Sequence, residues 1–314
     1  MKLIEFINQY PTEDNCKKKF KEIREKEGVI CKKCKGKAHY WLNQKEMYEC
    51  KSCHFRMSLK SGTVMENSKL SYQYWFIAFH LLTSTKKTIS ALEMQRQIGH
   101  KFYEPIWAMM HKIRRVMNKR DSKYKLEENV ELDEGFYSVG YTFEIDEFTG
   151  EKEELKRGKG SQRKAKVLVM ASYDKENVFN KKSEKYRIKT RAKFLKMVVI
   201  DDLSSNTINT ETQKAIDENS VVITDDYKSY AKLKEIVKEH KAYNSKNYDC
   251  EKILPWVHKA ITNSKNLLKA IHHCIKEPYL QNYLDEFCYK YNRRYFNERV
   301  FDRLIIAGVS NTWY

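Results

Sequence analysis

The sequence predicts a multidomain α+β protein, and three features of its 314 residues predict it. Four cysteines lie close together between residues 31 and 53, and an apolar stretch with helical spacing follows. From residue 129 onward, strand-like runs alternate with helical ones. These features divide the chain into an N-terminal segment at 1–65, a helical region at 66–124, an α/β domain at 125–300 and a C-terminal tail at 301–314.

The charge balance indicates a polyanionic partner. The chain has 60 Lys and Arg against 42 Asp and Glu, a formal net charge of +18, and nucleic acid is the commonest partner of such a protein. The first residues lack the apolar core of a signal peptide, and no run approaches the ~18 apolar residues of a membrane span. We therefore expect an intracellular protein without a membrane partner, cytoplasmic and associated with the nucleoid if it is bacterial.

The cysteines predict a structural zinc site. The sequences "CKKC" at 31–34 and "CKSC" at 50–53 give the spacing C-x2-C-x15-C-x2-C, in which two pairs of thiolates complete one tetrahedral Zn²⁺ site. The expected ligands are Cys31, Cys34, Cys50 and Cys53, and four thiolates leave no open position for catalysis. A zinc ribbon of this kind binds DNA or another protein. Cys16, Cys250, Cys274 and Cys288 lack metal-site spacing and are interpreted as packing residues.

The stretch "TISALEMQRQIGHKFYEPIWAMMHKIRRVM" (88–117) predicts two helices separated by a break at Gly99. This arrangement is typical of a helix-turn-helix, whose second helix enters the major groove while basic side chains contact phosphates. Lys112, Arg114 and Arg115 are the candidate DNA contacts. The alternative is an ordinary helical hairpin with a solvated basic face.

The second half of the chain predicts a ribonuclease-H-like α/β domain. Three strand-like runs, one helix, a fourth strand and then further helices follow each other in the order of that fold. The predicted strands are 129–139, 166–174, 194–202 and 221–224, and the predicted helices include 204–219 and 227–240. The charged insert at 140–165 predicts an exposed hairpin or a loop.

Two aspartates end up at neighbouring positions of that predicted sheet. Asp133 lies on the first strand, and Asp225 ends the fourth strand in "VITDDY". Because these strands are adjacent in a ribonuclease-H-like sheet, the two carboxylates would meet and bind two Mg²⁺ or Mn²⁺ ions together with substrate phosphate. The alternative is that Asp225 and Asp226 only cap the following helix, and Asp226 fits that role.

A third metal ligand is harder to assign, because no acidic residue occurs between Lys252 and Lys276. Asn263 lies at the expected place and can offer its amide oxygen to Mg²⁺. Other side chains could replace or support it: Asp226, His258, Lys265, Asp285 and Glu286. His258 could contact phosphate, although a single histidine is more often structural.

Taken together, these motifs resemble the zinc-ribbon transposases of ISXO-like bacterial insertion sequences, which are related to animal Merlin elements. The resemblance covers nearly the whole chain and depends on fragments in a shared order: "CKSCHFRMSLKSGTVMENSKLSYQYW", "ELDEGFY", "ITDDYKSY", "HKAITNSK" and "YLDEFCYKYNRR". Asp133 and Asp225 match the first two catalytic acids of this family, and Asn263 matches a position that carries Asn or Glu. The resemblance implies a DDE-type transposase.

Such an enzyme would hydrolyse phosphodiester bonds at terminal inverted repeats and join the freed 3′-hydroxyls to target DNA. Its partners would be double-stranded DNA and further copies of the chain. A basic loop at 157–164 is typical of the family, so Arg163 and Lys164 join the DNA-binding candidates, as do Arg293 and Arg294. The main alternative is a non-catalytic DNA-binding protein derived from a transposase; a zinc-dependent hydrolase is disfavoured because the zinc site is closed.

Overall fold

The computed structural model divides the chain into two compact units. Unit 1 comprises residues 1–121 and 293–314, and unit 2 comprises residues 122–292. The structure describes residues 1–140, 161, 163–180, 185–244, 250–272 and 274–314. The predicted insert at 140–165 and the basic loop at 157–164 lie largely outside the described residues.

Unit 1 is mainly helical, and its helices begin at polar caps. The hydroxyls of Thr12, Ser71 and Ser90 accept hydrogen bonds from backbone N–H groups in the first turns of the helices that follow them. These bonds satisfy donors that the start of a helix leaves free. The helices are α1 (Leu3–Gln9), α2 (Glu13–Glu27), α3 (Tyr72–Ser84), α4 (Ala91–Ile98), α5 (Tyr103–Asp121) and α10 (Val300–Ser310).

Helices α4 and α5 form the predicted pair around Gly99. Gly99 has a left-handed backbone (φ 73°), and its N–H closes α4 on the carbonyl of Gln95. This conformation costs glycine little because it has no Cβ. The sequence-based prediction of a helix break at this residue is therefore confirmed.

Helix α10 belongs to the core of unit 1. Phe301 is 1 % exposed and lies within about 6 Å of the rings of Phe6, Tyr10 and Phe76, and α10 packs on α2, α3 and α5. The sequence instead predicted a tail at 301–314. Its apolar residues do have helical spacing, but the helices that bury them lie roughly 180 or more residues earlier in the chain, so local sequence did not reveal a core helix.

A small antiparallel sheet also belongs to unit 1. Its strands are β1 (His39–Leu42), β2 (Met47–Cys50) and β3 (Arg56–Ser58), in the order β1-β2-β3. The four predicted metal ligands lie at or beside these strands.

Unit 2 contains a five-stranded mixed sheet with the order β6-β5-β4-β7-β8. Strand β4 pairs antiparallel with β5 and parallel with β7, and β8 extends the parallel side. The strands are β4 (Asn129–Ser138), β5 (Lys164–Asn180), β6 (Lys185–Ile200), β7 (Val221–Asp225) and β8 (Glu239–Tyr243). The predicted order of three strands, a helix and a fourth strand is confirmed.

Both faces of this sheet are covered. On one face, helix α6 (Ser205–Ala215) and the 3₁₀ helix Lys228–Glu235 enclose a core that includes Val130, Leu132, Ile208 and Leu233. On the other face, α8 (Pro255–Ile271) and α9 (Glu277–Asn292) enclose a second core, with Val169, Val257, Ile261, Leu280 and Leu284 among its members. The short helix α7 (Cys250–Ile253) precedes α8.

The helix predicted at 227–240 is wrong. The chain forms the 3₁₀ helix Lys228–Glu235 and then the strand β8, which pairs with β7. The helical spacing of Tyr230 and Leu233 is real, since both are buried. Residues 239–243 instead provide hydrogen-bond partners for the open edge of β7, a tertiary effect that local spacing does not reveal.

Within the described part of the chain, every helix is too short or too polar to span a lipid bilayer.

We predict that Phe301→Ala lowers the unfolding free energy of unit 1 by about 3–5 kcal/mol, because it leaves a cavity among buried rings. Urea unfolding monitored by near-UV circular dichroism measures this loss. Phe102→Ala is the matched control in the same unit, since Phe102 is 56 % exposed. Equal losses in the two variants would show that α10 is not part of this core.

Candidate functional site

The four predicted cysteine ligands converge in unit 1. The Sγ atoms of Cys31 and Cys53 lie 3.6 Å apart, those of Cys34 and Cys50 lie 3.5 Å apart, and all four lie within 4.8 Å of one another. Among the described residues, no other group of three or more His, Cys, Asp or Glu side chains is gathered this tightly. The four cysteines could hold a metal ion.

Both cysteine pairs adopt the same turn. The N–H of Lys35 donates to the carbonyl of Cys31, and the N–H of His54 donates to the carbonyl of Cys50, each at 3.0 Å. Lys35 and His54 both have a left-handed backbone, with φ of 61° and 56°. This repeated geometry turns two thiols of each pair toward one point, as a tetrahedral site requires.

The backbone of each turn also favours thiolates. The N–H of Cys34 lowers the pKa of the Cys31 thiol, and the N–H of Cys53 is the main cause that lowers the pKa of the Cys50 thiol to about 6. Thiolate is the form that binds zinc. A Cβ added to Gly36 would lie 3.3 Å from the Sγ of Cys34, so the chain passes close to the cluster and a larger residue would press on it.

The two predicted catalytic aspartates lie on adjacent parallel strands of unit 2. Glu131 of β4 pairs with Ile223 of β7, and two residues further along each strand come Asp133 and Asp225. Paired residues of parallel strands point to the same face, so both carboxylates lie on the face that α8 covers. The structure therefore brings Asp133 and Asp225 together as predicted.

Burial makes this pair electrostatically unfavourable. The side chain of Asp133 is only 15 % exposed, and its pKa is raised to about 7, first by burial and then by the nearby charges of Glu134 and Asp225. The N–H of Glu134 donates to Asp133 Oδ1 at 2.8 Å and offsets part of this effect. The site therefore holds negative charge poorly unless a cation is present.

Two side chains of α8 interact with Asp133. His258 Nε2 lies 3.8 Å from Asp133 Oδ2, and the charge of Asp133 acts on Lys265, whose pKa is lowered mainly by burial and then by Lys164. His258 and Lys265 are seven residues apart, so they share one face of the helix. Lys265 Nζ also lies 5.4 Å from the ring centre of Tyr137. Lys265 thus places positive charge near Asp133, and Lys164 lies near Lys265.

Asn263 lies elsewhere on α8. It is exposed, and it follows His258 by five residues, which separates the two side chains by roughly 140° about the helix axis. The buried face of α8 contains Val257, Ile261 and Ser264. His258 rather than Asn263 is thus the side chain of α8 that lies near Asp133 in this structure.

A residue that the sequence analysis did not single out, Glu131, connects β4 to α8. It is 1 % exposed, and its Oε2 accepts hydrogen bonds from the N–H groups of Trp256 (2.7 Å) and Val257 (3.0 Å) in the first turn of α8. Burial raises its pKa to about 7. The sequence could have pointed to Glu131, because it lies two residues before Asp133 on the same strand and so shares its face of the sheet.

Tyr230 provides a second connection that the sequence did not reveal. Its hydroxyl donates to Glu134, the neighbour of Asp133, and burial followed by the charge of Glu134 raises the pKa of Tyr230. Strand β4 is thus held from both faces of the sheet, by Glu131 on one side and Glu134 on the other.

Three other predicted acids lie in different surroundings. Asp226 is exposed and accepts a hydrogen bond from Asn244 at 3.4 Å. Asp285 and Glu286 are buried on α9, where Asp285 accepts from Gln281 at 2.7 Å and Glu286 pairs with Lys290 at 2.8 Å. Since α9 packs on β6, two strands away from β4, the structure does not bring Asp285 or Glu286 to Asp133.

The predicted DNA contacts differ in exposure. Arg114 is 1 % exposed, and Arg293 is 6 % exposed and pairs with Asp121 at 2.6 Å, so both lie inside unit 1. Lys112 donates to the carbonyl of Glu66 at 3.0 Å. The remaining candidates are exposed or partly exposed at the surface: Arg115, Arg163, Lys164 and Arg294.

Comparison with known proteins identifies the family. The profile of the ISXO2-like transposase domain matches residues 125–292, which is more than half of the chain and includes Asp133 and Asp225. The chain belongs to the ISXO2-like transposase family. No curated protein matches the sequence.

Solved structures similar to this transposase-family chain include complexes of the Mos1 mariner transposase. The Mos1 paired-end complex with Mn is 10 % identical, with a TM-score of 0.28 over 75 % of this chain and 78 % of that chain. The pre-cleavage Mos1 transpososome is 7 % identical, with a TM-score of 0.26 over 74 % and 78 % of the two chains. Similarity at this level carries no residue-by-residue comparison.

We predict that the protein binds one Zn²⁺ per chain and that Cys34→Ser removes it, because the site then lacks one of four thiolates. Metal analysis of the purified protein measures the zinc content. Cys274→Ser is the control, since Cys274 is an exposed cysteine of unit 2. Equal zinc content in the two variants would contradict the four-cysteine site.

We predict that Glu131→Ala lowers the unfolding free energy by about 1–3 kcal/mol, because it removes the acceptor of two N–H groups. Glu131→Gln keeps an acceptor oxygen and should lose less. Urea denaturation of both variants tests this order, with Glu218→Ala as the control at an exposed position of unit 2. A smaller loss for Glu131→Ala than for Glu131→Gln would be inconsistent with the hydrogen bonds.

We predict that Asp133→Asn stabilises the metal-free transposase domain at pH 8 by on the order of 2–4 kcal/mol. The pKa of Asp133 is raised in the folded state, so the wild type loses stability as pH rises from about 4 to about 7, whereas the variant does not. Denaturation in the presence of a chelator, at several pH values, measures the difference, which should nearly vanish at pH 4.

Asp202→Asn provides the opposite control. The Asp202 carboxylate accepts a hydrogen bond from the N–H of Ser204, and its interactions with Ser204 lower its pKa. Its contribution to stability is therefore present above its unfolded pKa and is lost on acidification, so this variant should not be stabilised at pH 8. If Asp133→Asn behaved like Asp202→Asn, the burial argument would be wrong.

Proposed function

We propose that the protein is an active, metal-dependent DDE-type transposase that cuts and joins DNA at Asp133 and Asp225. The observation that carries this proposal is the mostly buried acidic pair on two adjacent parallel strands, with Asp133 within β4 and Asp225 at the end of β7. The charge of Asp133 also acts on Lys265 of α8. Acids that are destabilised by their own surroundings are typical of catalytic rather than structural sites.

The sheet order supports a ribonuclease-H-like domain. Three consecutive antiparallel strands, β4 to β6, are extended beside β4 by the parallel strands β7 and β8. Helices cover both faces, and the two acids lie on the first and fourth strands of the domain, β4 and β7. This is the arrangement that the sequence predicted for that fold.

The acidic pair fits divalent metal ions. Carboxylate oxygens are the ligands that Mg²⁺ and Mn²⁺ prefer, and Asp133 is held in a position where its charge lacks compensation. Two bound ions would supply Lewis-acid activation of the attacking oxygen and stabilisation of the leaving oxygen. Asp133 and Asp225 would hold the ions, and α8 would provide a third group.

Two side chains of α8 are candidates for that third group. The resemblance to the family favours Asn263, whereas the 3.8 Å separation from Asp133 favours His258. Lys164 and Lys265 would orient the substrate phosphate through their positive charge. Glu131 would keep the first turn of α8 in place relative to β4 through its two hydrogen bonds.

In this proposal unit 1 binds the ends of the mobile element. The four cysteines fit a zinc ribbon, and α4 and α5 fit a helix-turn-helix that reads terminal inverted repeats. The exposed residues just before α5 and at its first position, Lys101, Phe102 and Tyr103, would approach the major groove. The protein would also bind target DNA and act as a homo-oligomer on paired ends.

The test is cleavage of a labelled duplex that carries the flanking terminal repeat, with Mg²⁺ or with EDTA. We expect Mg²⁺-dependent nicking that Asp133→Asn and Asp225→Asn each reduce by at least 10³-fold, on the order of a lost catalytic group. Binding of the duplex should persist in both variants. Asn263→Ala and His258→Ala, compared under the same conditions, identify the third group by the larger loss.

Binding without nicking by the wild type would overturn the enzymatic proposal. It would favour the alternative, a DNA-binding protein derived from a transposase. Nicking that is equal in Asp133→Asn and wild type would place the chemistry elsewhere.

A further inference from the structure

Strands β5 and β6 continue beyond the rest of the sheet. Strand β4 begins opposite Tyr173, so residues 174–180 of β5 pair only with residues 185–191 of β6. We call these two segments the ribbon. Neither of the proposed metal sites uses it.

One face of the ribbon exposes large apolar side chains. Phe179 is 48 % exposed, Tyr186 is 75 % exposed and Ile188 is 67 % exposed, and the rings of Phe179 and Tyr186 lie 5.2 Å apart. Opposite partners in an antiparallel pair share a face, so the pairs Phe179–Tyr186 and Asn177–Ile188 lie side by side. Exposed apolar groups gathered in this way mark an interaction surface.

This face is continuous with the face that bears the acidic pair. Thr190, on the same side of β6 as Tyr186 and Ile188, accepts a hydrogen bond from Trp256 Nε1 of α8 at 3.2 Å. Helix α8 covers the side of the sheet to which Asp133 points. A molecule that lies along this side can therefore reach both regions.

The charge of the ribbon indicates which class of molecule it binds. The two segments of the ribbon include five Lys and Arg against two Asp and Glu. Lys175 is exposed on the face of the apolar patch, opposite Thr190, and Lys189 is exposed on the other face, opposite Glu176. A basic segment with exposed aromatic rings fits a polyanion better than an apolar protein surface, because phosphates attract the lysines and base steps accept aromatic or aliphatic side chains.

The length of the ribbon matches a repeat of duplex DNA. Asp133 pairs with Val169, and Phe179 lies ten residues further along β5, or roughly 33 Å at the usual rise of a strand. One turn of B-DNA spans about 34 Å, and its major groove admits a two-stranded ribbon.

We propose that the ribbon is a DNA-binding arm that contacts the same duplex about one helical turn from the scissile phosphate. This inference rests on the proposed function, because the position of the contact is measured from the scissile phosphate. Phe179, Tyr186 and Ile188 enter the groove, and Lys175 and Lys189, which lie on opposite faces of the ribbon, contact the phosphates on either side of it.

The experiment measures binding of the full chain to a labelled duplex of about 40 base pairs, roughly four helical turns, at several salt concentrations. We expect the double variant Lys175→Gln with Lys189→Gln to reduce the slope of log K against log salt by about 2, one for each lost phosphate contact. Tyr186→Ala should weaken binding by about 5- to 100-fold, the range of one stacking side chain. In hydroxyl-radical footprinting of the repeat-end duplex, the ribbon variants should no longer protect the DNA about 10 base pairs from the cleavage position.

The control removes the same charge elsewhere in unit 2. Lys214→Gln with Lys238→Gln alters two exposed lysines, one on α6 and one just before β8. An equal change of slope in this control and in the ribbon variant would overturn the proposal. So would a change of oligomeric state in Tyr186→Ala, seen by light scattering, with unchanged affinity for DNA, because the patch would then bind a second copy of the chain.

Failure of the proposed enzymatic function gives a different result. In that case the wild type would not nick the repeat-end duplex, yet the ribbon variants would still bind DNA more weakly than the control.

Discussion

The burial of Asp133 beside Asp225 is the constraint around which unit 2 is organised. Parallel pairing of β4 with β7 brings the two carboxylates to one face of the sheet, and burial raises the pKa of Asp133 to about 7. Two packed faces of apolar residues maintain this unfavourable arrangement. Hydrogen bonds from Trp256 and Val257 to Glu131, and from Tyr230 to Glu134, hold β4 in position from either side. The charge of Asp133 therefore lowers the stability of unit 2, and a bound cation would offset that loss.

Unit 1 depends on contacts between distant parts of the sequence. Glu66 receives a hydrogen bond from the hydroxyl of Tyr314 and pairs with Lys32, which lies inside the first cysteine turn. Phe301 completes the aromatic core that Phe6 and Phe76 begin. The last 22 residues of the sequence therefore stabilise the same unit that holds the four cysteines. The two units therefore do not follow chain order.

Features that depend on residues close together in the sequence were mostly predicted correctly. The spacing of the cysteines predicted their convergence, Gly99 predicted the break between α4 and α5, and the alternation around Asp133 predicted β4. Features created by tertiary contacts were not predicted: β8, which completes an open strand edge, and the role of α10 in unit 1. At the candidate site, spacing located Asp133 and Asp225, but the position of Asn263 around α8 depends on which face of that helix packs on the sheet. Glu131 shares the face of Asp133, yet only the structure reveals that it binds the first turn of α8.

Binding of Mn²⁺ measured by isothermal titration calorimetry, at pH 7.5 on zinc-loaded protein, tests the central claim most directly. If the acidic pair is a cation site, the wild type binds Mn²⁺ and releases protons on binding, because the raised pKa of Asp133 leaves it partly protonated near neutral pH. Asp133→Asn and Asp225→Asn should each abolish this binding, whereas Asp202→Asn should retain it. Equal Mn²⁺ binding by wild type and Asp133→Asn would contradict the assignment of these carboxylates as the metal site.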